Sequence, residues 1–467
     1  MTTSRALAMH ILMQVARRAA FPDVLLDVYF KKHPALEARD RAFATELVYG
    51  ALRWQGRLDW IIDRYAQVSP TRMALPVRVL LRLAAYQLLF LDRVPPAAAV
   101  HEAVELAKTS QPQHIIRFVN GVLRSIARER EALKAAVPDG SPAEKLAVRY
   151  AYPVWVVERW LKELGPEETA ALCHAGNQVA PTTIRVNTLR ITPAALAAAL
   201  RELRLSVEPG RFAPEALHLR GTRTDLSSLP ESVRGEFQVQ DEASQLVARL
   251  VDPKPGERVL DACAGMGVKT THLAQLMENR GEIVAVDNQG WKLSRLMENA
   301  RRLRISCVEP VEGDLLAPST EDRWGGVFHR VLVDAPCTGL GVLRRNPDIK
   351  WKVGPKDFRR LHLLQTELLD RAAGLVRPGG VLVYATCTLT AEENEGTVQT
   401  FLAKHGDFSQ EGKRAIVPPF GGDVVQENGS LTTWPHRHGV DGFFAVRLRR
   451  SNRESDSDVP GVERVDH

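Results

Sequence analysis

From Asp241 onward, short apolar runs alternate with longer stretches that have the periodicity of a helix. This alternation is typical of a doubly wound α/β fold, in which a mostly parallel sheet carries helices on both faces. We therefore predict a Rossmann-like α/β domain over residues 241–450. Its predicted strands are Arg258–Ala262, Ile283–Asp287, Cys307–Glu312, Arg330–Asp334, Val381–Thr386 and Phe443–Leu448.

The remaining residues predict a multidomain chain. Residues 1–140 have apolar positions three and four apart, punctuated by prolines, which indicates an all-α domain. Residues 145–240 combine a strand candidate, Thr183–Asn187, with a helix candidate, Thr192–Leu205, and we predict a small α+β subdomain there. Residues 451–467 are polar and lack periodicity, so we expect a disordered tail.

Composition narrows the class of protein. Of the 467 residues, 45% are hydrophobic and 25% are charged, as in ordinary globular proteins. The longest apolar stretch, Val79–Leu91, contains Arg82 and is too short to span a bilayer, so we expect no membrane partner. The N-terminus has no secretory pattern, which favours the cytoplasm. Five widely spaced cysteines favour neither a disulfide framework nor a zinc site, so we expect free thiols and no metal. We also expect a monomer.

The turn after the first predicted strand has the pattern of a cofactor site. Gly265 and Gly267 lie between that strand and a predicted helix, where glycine lets the backbone approach a ligand closely. A tight structural turn would explain this pattern alone, but acidic residues also follow the next strands, at the edge where open α/β sheets bind ligands. These residues are Asp287, Asp314 and Asp334. With no Walker lysine pattern, a single nucleoside cofactor fits best.

Two predicted strands run into cysteines, Val331–Cys337 and Val381–Cys387. A thiolate that adds to carbon 6 of cytosine makes carbon 5 nucleophilic enough to take a methyl group from a sulfonium, and a base must then remove the carbon 5 proton. Cys387, Cys337 and Asp334 could supply the thiolate, the base and an acid near N3 or the amine of the base. The residues alone do not decide which cysteine attacks. We interpret Cys173 and Cys307 as small buried side chains.

A basic run follows the first of these cysteines. Between Gly341 and Arg360 there are seven basic residues and two acidic ones, with Trp351 and Phe358 among them. A solvated helix face is the ordinary interpretation of such a run. Because this run follows a reacting thiol directly, we predict contacts with nucleic-acid phosphates from Arg344, Arg345, Lys350, Lys352, Arg359 and Arg360.

Several segments resemble the RNA cytosine-C5 methyltransferases. The segments 334–341, 345–348 and 384–388 resemble the signature motifs of that family, and 240–244 and 441–444 are similar to further family segments. The segments 46–50 and 118–123 resemble the helical antitermination factor NusB. The combination is similar to the bacterial enzymes of this family that act on small-subunit rRNA and carry a NusB-like domain.

The resemblance implies a donor, a substrate and site residues. The donor would be S-adenosylmethionine and the substrate a single-stranded or loop cytosine of 16S rRNA. Cys387 would be the nucleophile, and Cys337 would assist breakdown of the adduct. The donor would be held by Cys263, Ala264, Gly265, Met266, Gly267, Val268, Lys269, Asp287, Asp314 and Asp334.

The cofactor turn departs from the family pattern at three positions. The family usually reads Asp-Ala-Cys-Ala-Ala-Pro-Gly-Gly-Lys-Thr, whereas this chain has Gly265, Met266 and Val268 in place of the third alanine, the proline and the second glycine. Gly265 restores a Gly-x-Gly turn, so we expect donor binding to persist. Two other functions remain open: the same chemistry on tRNA, and a non-catalytic RNA-binding scaffold.

Overall fold

The computed structural model describes residues 3–18, 20–68, 72–220, 226, 229–317, 324–416 and 423–452. It divides into two compact units. The first contains residues 1–180 and 342–355, and the second contains residues 181–341 and 356–467. The disordered tail expected over 451–467 lies, apart from its first two residues, outside the described residues.

The first unit is helical, as the sequence predicts. Residues such as Leu47, Ile61, Leu81 and Val119 are fully buried in one hydrophobic core. The unit contains α1 (Ser4–Arg18), α2 (Pro22–Lys32), α3 (Ala38–Arg53), α4 (Gln55–Ala66), α5 (Leu75–Phe90), α6 (Pro96–Lys108), α7 (Gln113–Ala135), α8 (Pro142–Tyr150), α9 (Val154–Asn177) and α15 (Ile349–Lys352).

The segment 342–355 is built into this helical unit although it follows the Cys337 loop in sequence. The indole Nε1 of Trp351 donates a hydrogen bond to the Leu52 carbonyl at 2.9 Å. Arg53 donates to the carbonyl of Arg344, also at 2.9 Å. Buried side-chain and backbone groups therefore fix this segment within the helical unit, although the chain before and after it belongs to the second unit.

The second unit begins with a small antiparallel sheet. Its elements are β1 (Thr182–Val186), α10 (Pro193–Glu202), β2 (Ser206–Pro209), β3 (Ala216–Arg220), α11 (Glu231–Arg234) and β4 (Phe237–Val239). The strands are in the order β2-β3-β1-β4. Thr192 is the N-cap of α10, and its hydroxyl accepts from the amide of Ala195. This sheet is the small α+β part of the predicted fold class.

The strands of the larger sheet of the second unit are β5 (Arg258–Asp261), β6 (Glu282–Asp287), β7 (Val308–Glu312), β8 (Phe328–Asp334), β9 (Val376–Thr386), β10 (Phe408–Gln410), β11 (Leu431–Thr433) and β12 (Phe443–Arg450). Their order is β10-β12-β9-β8-β5-β6-β7, with β11 beside β12. Strands β5 to β9 pair in parallel, and β12 pairs with β9 in antiparallel.

Helices pack on this sheet and complete the doubly wound fold predicted from the sequence. They are α12 (Glu242–Val251), α13 (Val268–Leu276), α14 (Gly290–Arg302), α16 (Pro355–Leu375), α17 (Glu395–Lys404) and α18 (Pro435–His438). Strand β5 lies between β6 and β8, so the chain reverses direction across the sheet at β5. The carboxyl ends of β5, β6, β8 and β9 share one edge, which is where such a sheet binds ligands.

Candidate active site

The turn between β5 and α13 has the backbone of a ligand-binding loop. Gly265 and Gly267 both have positive φ, at 54° and 77°. A Cβ on Gly267 would lie 2.3 Å from Cγ of Leu296, so only glycine fits there. A Cβ on Gly265 would meet nothing within 4 Å, which leaves open space over the turn.

The predicted acidic residues surround this turn. One Asp287 carboxylate oxygen accepts from the amide of Gly265 at 3.0 Å, and the other accepts from the amide of Gln289 at 2.9 Å. Asp314 follows β7, and its Oδ1 accepts from the amide of Leu316 at 3.0 Å. Asp334 ends β8 at the same edge.

The other predicted cofactor residues form the turn itself. Ala264 donates its amide to the Val286 carbonyl at 2.9 Å, and Met266 is 41% exposed. Cys263 is partly buried, and burial, with the charges of nearby aspartates, raises the pKa of its thiol. This thiol therefore stays protonated and is unsuited to attack.

These residues fit a nucleoside sulfonium cofactor. The Gly265 side of the turn is open, Val268 begins α13, and carboxylates that can accept from ribose hydroxyls lie on the adjacent strands. The carboxylates suit a ligand that carries hydroxyl groups and a positive charge, and the positive end of the helix suits a carboxylate of the same ligand.

Lys269 connects the cofactor turn to the thiol site. Its ammonium contacts a carboxylate oxygen of Asp334 at 2.7 Å and lies 5.0 Å from the centre of the Phe443 ring. Burial disfavours the ammonium charge, but Asp334 outweighs this cost and the pKa of Lys269 is raised. The interaction with Cys387 contributes to the same rise, so Lys269 lies near that sulfur.

The two predicted reactive cysteines lie together. The Sγ atoms of Cys337 and Cys387 are 3.4 Å apart, and both side chains are partly exposed. The hydrogen bond with Cys387, followed by burial, raises the pKa of Cys337 well above its usual value. Cys337 therefore holds its proton at neutral pH.

Backbone pairing brings these cysteines together. Ala335 donates its amide to the Ala385 carbonyl at 2.9 Å, and Gly341 donates to the Cys387 carbonyl at 3.0 Å. A Cβ on Gly341 would lie 2.0 Å from the Gly442 carbonyl oxygen, so this close approach requires glycine. The loop that carries Cys337 is thus closed directly onto the end of β9.

The structure corrects two of the predicted phosphate contacts. Lys350 is 1% exposed, and its ammonium donates to Asn177 Oδ1 at 2.6 Å and lies 3.7 Å from the centre of the Tyr152 ring. Burial lowers the pKa of Lys350 well below its usual value. Arg344 is 6% exposed. Both side chains lie inside the helical unit, because segment 342–355 packs there, and neither can reach a phosphate.

The other basic residues predicted to contact phosphates are at the surface or partly exposed. Lys352, Arg359 and Arg360 are exposed, and Arg345 is partly exposed. Arg360 contacts Asp357 at 2.9 Å in a surface pair, which is weak and can exchange for a phosphate. Lys352 contacts Asp348, whose side chain is 4% exposed, at 2.7 Å, and it also donates to the Ala20 carbonyl at 2.9 Å.

Two charged residues of the site were not predicted from the sequence. Arg185 of β1 is 1% exposed and donates to the Val268 carbonyl at 2.8 Å and to Thr271 Oγ1 at 3.0 Å, at the first turn of α13. Glu393 is fully buried behind the two cysteines. The only signal for Arg185 was a charge within an apolar strand, and Glu393 stands among other acidic residues in sequence.

The sheet order and the glycine turn define a Rossmann-like methyltransferase. Three family descriptions match the chain: "16S rRNA methyltransferase RsmB/F" over residues 248–449, "NusB family" over residues 2–128, and a ferredoxin-like domain of RsmF/B-like methyltransferases over residues 152–224. The chain belongs to the RsmB/F family of methyltransferases, with an N-terminal NusB-like domain.

Similar proteins extend over nearly the whole chain. The probable ribosomal RNA small subunit methyltransferase B of Synechocystis is 38% identical over 97% of this chain and 100% of its own. The corresponding Bacillus subtilis protein is 36% identical over 96% and 99%. The crystal structure of PH0851 has a TM-score of 0.81 at 30% identity, covering 96% of this chain and 98% of that one. NSun6 from Pyrococcus horikoshii, solved with SFG, has a TM-score of 0.58 at 25% identity, covering 65% and 100%.

Among the described residues, no helix has the length and apolarity needed to cross a membrane, and no cluster of three or more metal-ligating side chains occurs.

One buried carboxyl group makes the stability of the fold depend on pH. Asp261 ends β5 and accepts a hydrogen bond from Thr270 at 2.7 Å. Burial raises the pKa of Asp261 to about 7. The hydrogen bond from Thr270 opposes this rise, and the nearby Asp334 adds to it. The folded state therefore retains a proton that the unfolded chain releases near pH 4. The stabilisation by this proton is full below about pH 4 and is lost as the pH rises through about 7.

We predict that Asp261→Asn removes this dependence, because asparagine can accept the Thr270 bond and does not titrate. The free energy of unfolding of the variant, relative to the unsubstituted chain, should rise by up to about 4 kcal/mol between pH 4 and pH 8. Denaturant unfolding at several pH values measures it, with Asp139→Asn, a change on an exposed residue, as the control. An equal pH dependence in the Asp261→Asn variant and the unsubstituted chain would contradict the prediction.

Proposed function

We propose that this protein transfers a methyl group from S-adenosylmethionine to carbon 5 of a cytosine in 16S rRNA, through a covalent adduct at carbon 6. The observation that carries the proposal is the pair of thiols 3.4 Å apart at the ends of adjacent parallel strands. Relatives that match nearly the full chain are named small-subunit rRNA methyltransferases, which supports rRNA as the substrate and favours it over tRNA.

Cys387 is the proposed nucleophile. Its sulfur adds to carbon 6 of the cytosine, and the electrons of the 5,6 double bond make carbon 5 nucleophilic. The Lys269 ammonium supplies positive charge near the attacking thiolate. Asp334, held by Lys269 at 2.7 Å, would orient the N3 and amine edge of the base. Bound S-adenosylmethionine supplies the electrophilic methyl group, and the residues around Gly265, Asp287 and Asp314 would hold it.

Cys337 is the proposed base for the final step. The hydrogen bond with Cys387 is the largest cause of its raised pKa. Once Cys387 is bonded to carbon 6, that cause disappears and Cys337 can release its proton to solvent. The resulting thiolate removes the proton from carbon 5, the double bond re-forms, and the Cys387 sulfur leaves as a thiolate. The cycle returns both thiols to their starting state.

The RNA must present an unstacked base. Cys387 can reach carbon 6 only of a base that has left its helix, so a single-stranded or loop cytosine is the proposed target. The proposed phosphate contacts are Arg345, Lys352, Arg359 and Arg360. We propose that the protein acts as a monomer in the cytoplasm. A non-catalytic scaffold would have no use for two thiols in hydrogen-bond contact.

We predict opposite outcomes for the two cysteine variants. Cys387→Ala should abolish transfer of label from S-adenosylmethionine to 5-methylcytosine in unmethylated 16S rRNA, because no adduct forms. Cys337→Ala should accumulate protein bound covalently to RNA, because the carbon 5 proton is not removed. Gel retardation under denaturing conditions measures the adduct. Cys307→Ala, at the start of the β7 region and outside the site, should behave like the unsubstituted chain. Accumulation in Cys387→Ala instead would reverse the two roles.

We also predict that Arg359→Gln weakens RNA binding and its salt dependence. Removing one phosphate contact should reduce the slope of log affinity against log salt by about 0.7. Fluorescence anisotropy with a single-stranded 16S fragment at several salt concentrations measures the slope. The control is Arg377→Gln, an equal charge change on an exposed residue near the amino end of β9. Identical slopes for both variants would remove Arg359 from the RNA-binding surface.

A further inference from the structure

A buried carboxylate connects the two loops that carry the thiols. Glu393 lies in the turn after β9 and is fully buried. One of its oxygens accepts from the backbone amide of Thr338 at 2.9 Å. The other accepts from the Thr338 hydroxyl at 2.5 Å and from the Thr390 hydroxyl at 2.8 Å. Thr338 directly follows Cys337, so Glu393 holds the Cys337 loop at two atoms.

A second contact closes the bridge on the other side. The hydroxyl groups of Thr338 and Thr388 are 2.7 Å apart. Because Thr338 donates to Glu393, Thr388 must donate to Thr338. Thr388 directly follows Cys387, so the residues just beyond both thiols are hydrogen-bonded to each other. The position of one sulfur relative to the other is thereby fixed from behind.

Gln365 of α16 completes the environment of the carboxylate. Its amide nitrogen donates to Glu393 at 3.0 Å and to the Pro336 carbonyl at 2.9 Å. Four donors therefore converge on the two oxygens of Glu393, and only a group that accepts at both atoms satisfies them. A glutamine at this position would place its NH₂ group opposite one of these donors. Two buried donors would then face each other without an acceptor, and their repulsion would push the Cys337 loop away.

We propose that Glu393 is a positioning residue that sets the separation of the two thiols from behind, through Thr338 and Thr388. It touches neither reacting sulfur through a hydrogen bond of its own, and it acts through the residues next to them. Its negative charge is also among the causes that raise the pKa of Cys337, which agrees with a proton held on that thiol. The chemical part of the proposal rests on the proposed function, whereas the geometric part does not.

A dithiol reagent measures this geometry without RNA or donor. Phenylarsine oxide condenses with two thiols to give a cyclic dithioarsenite, forming two As–S bonds and releasing one water. Arsenic keeps its oxidation state, and the thiol protons leave with the oxygen. The full chain should capture the reagent, and mass spectrometry should place it on the peptides of Cys337 and Cys387. Cys337→Ala should abolish this capture, which verifies the assignment.

In the Glu393→Gln variant, capture of the arsenic reagent should slow about tenfold. The kcat for RNA methylation should fall about 100-fold because the reacting groups are misplaced, and KM for RNA should be nearly unchanged because the binding surface is kept. Affinity for S-adenosylmethionine, measured by calorimetry, should stay the same. The matched control is Glu392→Gln, the same change on the exposed neighbouring residue, which should capture and methylate normally.

Unchanged capture in a folded Glu393→Gln variant would overturn the proposal, and so would lost capture with normal kcat. If that variant does not fold, Thr388→Val decides, because it removes one hydroxyl of the same bridge: slower capture supports the proposal and an unchanged rate overturns it. If the unsubstituted chain captures arsenic but forms no 5-methylcytosine, the proposed function fails while the geometric role of Glu393 is still judged by capture.

Discussion

The parallel pairing of β8 with β9 is the interaction on which the candidate active site depends. Asp334 is in register with Ala385, so the two chains leave the sheet side by side at its carboxyl edge. Adjacent strands are about 4.8 Å apart, and a thiol a few residues beyond each strand end is therefore within reach of the other. The sheet provides proximity, and the turn residues beyond it provide the orientation of the sulfur atoms.

Buried charges distinguish the surroundings of two chemically identical side chains. Lys269 places a buried positive charge near one sulfur, and Glu393 places a buried negative charge near the other. The same lysine contacts Asp334 and follows the glycine turn by two residues, so the donor side and the thiol side share one charged group. Arg185, from the small sheet, supports that turn through the Val268 carbonyl.

Sequence patterns predict the parts of this structure that depend on local order. Six of the eight strands of the large sheet, and the edge that carries Asp287, Asp334 and both cysteines, follow from apolar periodicity and known sheet topology, whereas the three-residue strands β10 and β11 were not predicted. The predicted phosphate contact of Lys350 is wrong because the burial of this side chain depends on segment 342–355 packing into the helical unit, which no local sequence pattern reveals. Glu393 and Arg185 were missed for a related reason: their partners lie 55 and more than 80 residues away. The roles of the donor and RNA residues stay predictions.

The most direct measurement of the central claim is the identity of the residue bonded to RNA during catalysis. A 16S fragment containing 5-fluorocytosine at the target position should trap the adduct, because fluorine cannot be removed as a proton from carbon 5. Digestion and mass spectrometry of the trapped protein then locate the bond. We predict that the nucleotide is attached to the peptide containing Cys387. Attachment to Cys337, or no attachment under conditions of RNA binding, would contradict it.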